Sequence, residues 1–582
     1  MKVSINIKAR RYRSTDQSAM KALPKTFLWG VSTSSYQVEG GITNNDWDFF
    51  TRSQQINKRI SNISKPSIFY KGSTHVDLQP AGDAAKFWRT RYYERDFDLA
   101  RSLGLNAFRI SIEWARIEPK KDQWDQVAID HYREMLLAMR ERNLIPLVSL
   151  HHATLPLWVL TPPQEFLRRM GQNLLPRPIK DLPLGDPLPS DPFWKSLRGW
   201  ENDETVARFI RYTERIVLEF RELVDYWITI GEPMATIIGG GYISGLWPPG
   251  FFLKGKKART VLHNIIEAHI QAYNKITSLD NMDADGDGFT SKVGFTHLMM
   301  EVIPAVQTKV FGIATKDNIE AAKNFSYFAN DYFINAVING EEDINYLNTL
   351  QRRNKNSEEF IVHKDWKNKT DFIGLDYYRR VYVYSNKIVS LTSAKFVGGV
   401  PINDLSMINK QHHNILNTLG WEIYPRGMYN VIMRIKNQWN SMPIFITENG
   451  IADKHDGHRA PFIVSHLQQV RRAIDDGARI MGYLYWSFMD NYEWLDNYRP
   501  EGKFGLFSID FEEQDHKTSE LVRHKTKGAE ALEVIIKESF SQDKDGVVSN
   551  SAITAAQNKF GIFTEDGSRI IYPWMTKWNK GQ

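Results

Sequence analysis

Ile444-Phe445-Ile446-Thr447-Glu448-Asn449-Gly450 is a run of β-branched and aromatic residues that ends on an acid, and Ile228-Thr229-Ile230-Gly231-Glu232-Pro233 has the same form far upstream. Short apolar runs of this kind read as buried strands, so each glutamate stands at the carboxyl end of one. Similar runs occur at Phe27–Ser32, Ala107–Ser111, Pro146–His151, Val293–His297, Phe372–Leu375 and Tyr483–Ser487. Amphipathic stretches separate them, among them Tyr92–Leu103, Asp130–Asn143, Thr205–Glu222 and Val261–Thr277. Strand and helix alternating in this way predict an α/β fold, a single-domain (β/α)8 barrel with long loop insertions. Chemistry in such barrels sits at the carboxyl ends of the strands. Gln37, Arg109, His151, Glu232, Tyr377, Glu448 and Glu493 all fall there. Two carboxylates brought to one cleft from separate strands suit glycosidic-bond cleavage, where one protonates the leaving oxygen and the other attacks carbon or activates water. The plainer alternative is a pair of strand-end acids held by nearby arginines.

Composition narrows the classes. With 42% hydrophobic and 24% charged residues the chain is that of an ordinary soluble globular protein. The formal charge of +6 over 582 residues gives no argument for nucleic acid. No stretch reaches the ~18 apolar residues of a spanning helix. The basic start (Lys2, Lys8, Arg10, Arg11, Arg13) lacks the apolar core of a signal peptide and reads as a solvated arm or a membrane-surface contact. Cysteine is absent, which excludes disulfides and thiolate sites and fits a cytoplasmic location. The expected organisation is a basic arm over 1–23, the barrel over 24–540 and an extension packed on it over 541–582. Thr51–Lys71, Thr161–Leu197 and Val381–His413 lack periodicity and read as loops over the barrel mouth or surface insertions.

The motifs resemble those of glycoside hydrolase family 1, the retaining β-glucosidase and β-galactosidase group, from about Pro24 to about Asp510. Phe27–Gly40 is similar to that family's amino-terminal signature, and Phe108–Trp114 to its second-strand motif. Thr447–Gly450 resembles its nucleophile motif, and Trp486–Trp494 its eighth-strand sugar-binding motif. The resemblance implies a retaining β-glycosidase with Glu448 as nucleophile and Glu232 as acid/base, their carboxyls about 5 Å apart. It implies that Arg109 and Tyr378 support Glu448, and Arg109 is suited to depress its pKa. Gln37, His151, Glu493 and Trp494 would hold sugar hydroxyls, and Trp486 would stack on the sugar. Glu493 would repel a 6-phosphate, which points to an unphosphorylated β-glucoside or β-galactoside. No cofactor and no catalytic metal are expected, and the partner is a small-molecule glycoside.

The chain departs from the family pattern at three places. Gly231 stands where an asparagine that binds the sugar 2-hydroxyl usually precedes the acid/base, Asp376 stands where the sixth-strand motif usually has asparagine, and His152 follows His151 in place of an aromatic residue. Gly231 and Asp376 therefore belong with the substrate-binding candidates, and His152 or Asp376 could replace the lost contact. Asp376 would also raise the pKa of one of two buried carboxyls. A transglycosylase using the same two glutamates, and a sugar- or protein-binding barrel without activity, stay open beside hydrolysis; the glutamates favour an enzyme, Gly231 and Asp376 the binding barrel. Asp283, Asp285 and Asp287 have the spacing of half a calcium loop, but Gly294 stands at the twelfth position, so an acidic turn is the alternative to a site. His412 and His413 lack a third ligand and read as loop residues.

Overall fold

Leu28, Ala107, Leu147, Tyr226, Ile228, Phe372, Phe445, Met481 and Leu484 fill the inside of a closed barrel. The computed structural model describes residues 23–52, 78–160, 199–251, 255–306, 314–344, 360–385, 399–402, 415–511 and 520–572. The strands are β1 (Leu28–Ser32), β2 (Ala107–Ser111), β3 (Ile145–Ser149), β4 (Tyr226–Gly231), β5 (Lys292–Leu298), β6 (Phe372–Asp376), β7 (Ile444–Asn449) and β8 (Ile480–Trp486). Each pairs in parallel with the next, and β1 pairs with β8 to close the ring. Side chains alternate across a strand, so Ala107, Arg109 and Ser111 share one face of β2 while Phe108 and Ile110 pack outward on the helices.

The helices are α1 (Thr90–Ser102), α2 (Gln126–Glu141), α3 (Asp203–Phe220), α4 (Gly255–Leu279), α5 (Tyr332–Asn339), α6 (Pro425–Gln438), α7 (Arg459–Asp475) and α8 (Lys527–Gln542). In α3 the Asn202 side chain accepts from the Glu204 N–H, and Asp203 and Glu204 place negative charge at the positive end of the helix. Val206, Phe209, Thr213, Ile216, Val217 and Phe220 then recur at helical spacing and form its buried stripe. Among the described residues no helix is long and apolar enough to cross a membrane.

Val381–His413 is corrected in part. Arg380–Ser385 and Gly399–Ile402 are strands, paired antiparallel with each other, and Arg380–Ser385 also runs parallel to Glu301–Pro304. Val381 and Val383 pack into one apolar cluster and Tyr382 and Tyr384 into another, the two-faced pattern of a strand, which a polar surrounding composition masks. Thr51 likewise ends a helix, Asp46–Arg52. Thr161–Leu197, His412, His413 and the basic arm up to residue 22 lie outside the described residues.

The tail closes the bottom of the barrel. Phe27 N–H donates to Asp545 O at 2.7 Å, and Trp29 Nε1 to Gly546 O at 2.7 Å. A further helix, Asn550–Phe560, packs on α7 and α8. At the same end Asp225, Asp283 and Asp285 approach within 4.8 Å of one another. Their carboxylates are taken up by the turn: Asp225 accepts from Ala284 N–H, Asp283 from Gly288 N–H and Asp285 from Asp287 N–H. Asp287 pairs with Lys292 at 3.2 Å.

Arg523 ties the segment after β8 to α1. It meets Asp96 with Nη2 at 2.8 Å and Nε at 3.1 Å, and both side chains are buried. Arg523→Ala would leave Asp96 inside with only a 3.5 Å contact to Arg95. Uncompensated buried charge costs about 3 kcal/mol or more. Chemical denaturation should show that loss, whereas removing an exposed pair such as Arg91–Glu520 should leave the midpoint nearly unchanged.

Candidate active site

Strict alternation along β4 and β7 would send some of the wrong side chains inward, and two irregularities prevent this. On β7, Ile446 aligns with Leu375 but Glu448 aligns with Asp376, so two steps on one strand face one step on the other. The bulge lets both Thr447 and Glu448 reach the mouth. On β4, Ile228 aligns with Gly294 and Gly231 with Thr296, again one residue too many. Thr229 turns outward to His269 of α4, and the chain resumes with Glu232 facing in. Glu232 has φ 44° and ψ 52°, a left-handed conformation that few non-glycine residues adopt and that collects at functional sites.

Arg109 comes up from β2, fully buried, and its guanidinium is used on three sides. Nη1 donates to Glu448 Oε1 at 2.6 Å, Nε to Ser149 Oγ at 2.9 Å, and Nη2 to His152 Nδ1 at 3.2 Å. Arginine can only donate, so His152 Nδ1 accepts and its proton sits on Nε2. Burial, with Arg109 beside it, holds His152 neutral. Tyr378 donates its hydroxyl to Glu448 Oε2 at 2.7 Å.

Asp376 makes this a site of three acids. Oxygens of Glu232, Asp376 and Glu448 all lie within 4.8 Å of one another. Thr447 Oγ1 donates to Asp376 Oδ1 at 2.6 Å, and Asp376 Oδ2 has no partner. Burial raises Glu232 well above the usual carboxylate range, and Asp376 and then Glu448 add to that. Burial and the charge of Glu448 raise Asp376 likewise. Glu448 is also raised, because burial outweighs the lowering by Arg109 and Tyr378. The expected depression of Glu448 is therefore corrected: the barrel mouth is too dry for one arginine to overcome. The order survives. Glu448 alone has two direct donors, so it holds the negative charge while Glu232 and Asp376 hold protons.

Around this cluster lie polar groups with nothing to bond. Both ring nitrogens of His151 are buried and unpartnered, and burial lowers its pKa to about 3. Gln37 is anchored through Nε2 to Tyr492 O at 2.8 Å, and its Oε1 is unpartnered. Trp200 Nε1, against the His151 ring, is unpartnered too; no sequence signal marked it. Burial pushes Glu493 up to about 8. Trp486 packs beside Phe504 and Leu419, and Trp494 joins Tyr36, Trp47 and Trp247 in an aromatic wall. Gly450 is required by crowding, since a Cβ there would meet Trp486 O at 1.8 Å. Tyr377, grouped with the cleft by sequence, turns away into the core and donates to Tyr424 O at 2.7 Å. Ser149, Thr296 and Trp200 belong to the site and escaped the sequence reading because no motif contains them.

The chain matches the model of glycosyl hydrolase family 1 over residues 19–161 and 194–539. It belongs to that family. It is similar to a β-galactosidase of Pyrococcus woesei, 28% identical over 531 residues that cover 84% of this chain and 92% of the relative. A 6-phospho-β-galactosidase of Streptococcus pneumoniae is 30% identical over 528 residues, 85% of this chain and 95% of that one. Among solved structures, a β-glycosidase from Pyrococcus horikoshii superposes with a TM-score of 0.63 at 26% identity, covering 91% of this chain and 98% of its own. The protein is a glycosidase.

Arg109 is the cation bonded within the carboxyl cluster. In Arg109→Met all three acids should take up protons at neutral pH, and kcat/KM on any glycoside cleaved by the wild type should fall at least about a thousandfold. A loss below about tenfold would show that the charge balance rests elsewhere.

Proposed function

We propose that this chain is a retaining β-glycosidase acting on an unphosphorylated β-glycoside through a covalent glycosyl-enzyme intermediate. The spacing of Glu232 and Glu448 carries the reading: their nearest oxygens lie within 4.8 Å. Carboxyls about 5–5.5 Å apart suit direct attack on carbon, whereas inverting enzymes separate them by about 6.5–9.5 Å to admit a water.

Glu448, ionised by Arg109 and Tyr378, attacks the anomeric carbon. Glu232 holds its proton in the dry cleft and passes it to the leaving oxygen. Once Glu448 is an ester its charge is gone, and one cause of the raised Glu232 pKa goes with it. Glu232 then takes a proton from water as that water attacks the anomeric carbon, and the bond from that carbon to Glu448 breaks and frees the carboxylate. His151, Gln37 and Glu493 are placed to bond sugar hydroxyls, with Trp486 and Trp494 as apolar walls. A phosphate beside Glu493 would have to be buried in a region dry enough to keep that carboxyl protonated, with the charge of Glu448 near by, which favours a neutral 6-position.

Two experiments test this. Glu448→Ala should lose activity, and azide should restore turnover of an activated aryl β-glycoside to give the α-glycosyl azide. A β-azide product from that variant would remove Glu448 from the nucleophile role. Tyr378→Phe deletes a bond to ionised Glu448, so the Glu448 pKa rises and activity is lost at a higher pH on acidification. The acidic limb of kcat/KM should move up by about half a unit or more, with the basic limb nearly fixed. An unmoved acidic limb would show that Tyr378 does not hold the charge on Glu448.

A further inference from the structure

Resting on the retaining β-glycosidase reading, we propose that the sugar bound at the reacting centre carries an amine at C2, so that the substrate is a 2-amino-2-deoxy-β-glycoside in its ammonium form. The inference starts from an imbalance. Three buried carboxyls converge within 4.8 Å, and Arg109, bonded to Glu448, neutralises one. Two must stay protonated in the empty cleft, or a ligand must bring positive charge.

Asp376 is the member with spare capacity. It is 0% exposed, Oδ1 is bonded to Thr447, and Oδ2 is unpartnered. Thr296, also 0% exposed, stands on the adjoining β5 with its hydroxyl close enough to Asp376 to lower that carboxyl's pKa, yet with no partner in good hydrogen-bond geometry. Gly231 keeps the third side free of a side chain: a Cβ there would stand 3.3 Å from His151 O, 3.6 Å from Thr296 Oγ1 and 3.7 Å from His152 Cα. The recess is thus walled by Asp376, Thr296, His152 and the backbone of residue 231. Its acceptors are a carboxylate and a hydroxyl. An acceptor-rich recess whose acids keep their protons for want of a cation fits an ammonium, which brings three donors and that cation.

Substrate geometry then selects the carbon. The anomeric carbon lies between Glu448 and the glycosidic oxygen, which faces Glu232. A third carboxyl this close to both reaches only groups one or two bonds from that carbon. The ring oxygen carries no hydrogen and the C1 hydrogen is apolar. The C2 substituent is the group that can donate. When an ammonium sits there Asp376 ionises, with its proton leaving to solvent, while Glu232 keeps the proton used in catalysis. The charged and titratable groups facing Asp376 are Glu232, Glu448, Arg109 and Tyr378.

The test uses the purified full chain and three nitrophenyl β-glycosides: glucoside, 2-amino-2-deoxyglucoside and its N-acetyl derivative, at a pH below the amine pKa. The amine should exceed the glucoside in kcat/KM by about tenfold or more, and the acetylated form, which lacks the charge, should fall below the amine. In Asp376→Asn the amine-to-glucoside ratio should drop about a hundredfold. Gly231→Asn, which fills the recess from the other side, should lower the same ratio if the first variant fails to fold. Calorimetry of free glucosamine in buffers of different ionisation enthalpy should show a proton released on binding to the wild type. Cleavage of the glucoside with a ratio at or below one, or a ratio unmoved by both variants, overturns the inference and leaves the glycosidase reading standing. Silence on all three, with other neutral aryl β-glycosides silent as well, overturns both.

Discussion

One buried arginine sets the terms for everything at the barrel mouth. Arg109 is fully enclosed, so its charge had to be matched inside the protein, and Glu448 at 2.6 Å matches it. An ion pair this dry is a weak source of stability, because desolvation of both partners offsets much of their attraction. Its value lies in what it does to neighbours. With the arginine committed to Glu448, further acids in the same volume are forced to hold protons, and the acid role proposed for Glu232 uses that proton. The fork shape matters as much as the charge. Nε, Nη1 and Nη2 reach Ser149, Glu448 and His152 respectively, so one side chain fixes a carboxylate and a histidine tautomer together. A lysine ammonium could supply the charge but not three separated directions.

The barrel delivers these groups by breaking its own rules at chosen points. Alternation places Arg109 and Ser149 inward with no irregularity, since each lies two residues above an inward apolar residue, Ala107 and Leu147. Glu448 cannot be reached that way, because it lies three residues past inward Phe445, whereas Glu232 shares the parity of inward Tyr226 and Ile228. Thr447 already occupies the inward position on β7, and the extra residue is what brings the next side chain in as well. The neighbouring Gly374 completes the arrangement: a Cβ there would lie 2.9 Å from Thr447 Oγ1 and 3.0 Å from Thr296 Cγ2. Packing below the site thus decides which polar atoms stand at its floor.

That distinction explains which parts could be read from the sequence. The eight strands were legible because each is a run of β-branched and aromatic residues, and the observed bounds differ from the expected ones by three residues or fewer. The closeness of Glu232, Asp376 and Glu448 was legible through strand order and motif resemblance together. The bulges were not, since an extra residue in a strand leaves no mark on composition. The net direction of the Glu448 shift was also hidden, because desolvation depends on how much protein surrounds the group, and no motif encodes that. Ser149, Thr296 and Trp200 were missed for a simpler reason: each is an ordinary residue made functional by what it faces.

The polar atoms of the cleft divide into two sets, and the division is itself informative. Those of Arg109, Tyr378, Glu448 and Thr447 are bonded to one another at 2.6–2.7 Å or held by neighbouring strands, which fixes the reacting groups before any ligand arrives. Those of His151, Gln37 Oε1, Trp200 Nε1, Asp376 Oδ2 and Thr296 Oγ1 are buried and unbonded. A buried polar atom left alone costs about 1–3 kcal/mol, so several in one cleft call for water or a hydrogen-bonding ligand to take them up. A sugar presents hydroxyls in several directions and satisfies such a set. An apolar ligand would leave every one of them stranded. On the proposed reading the first set holds the reacting groups and the second selects the sugar.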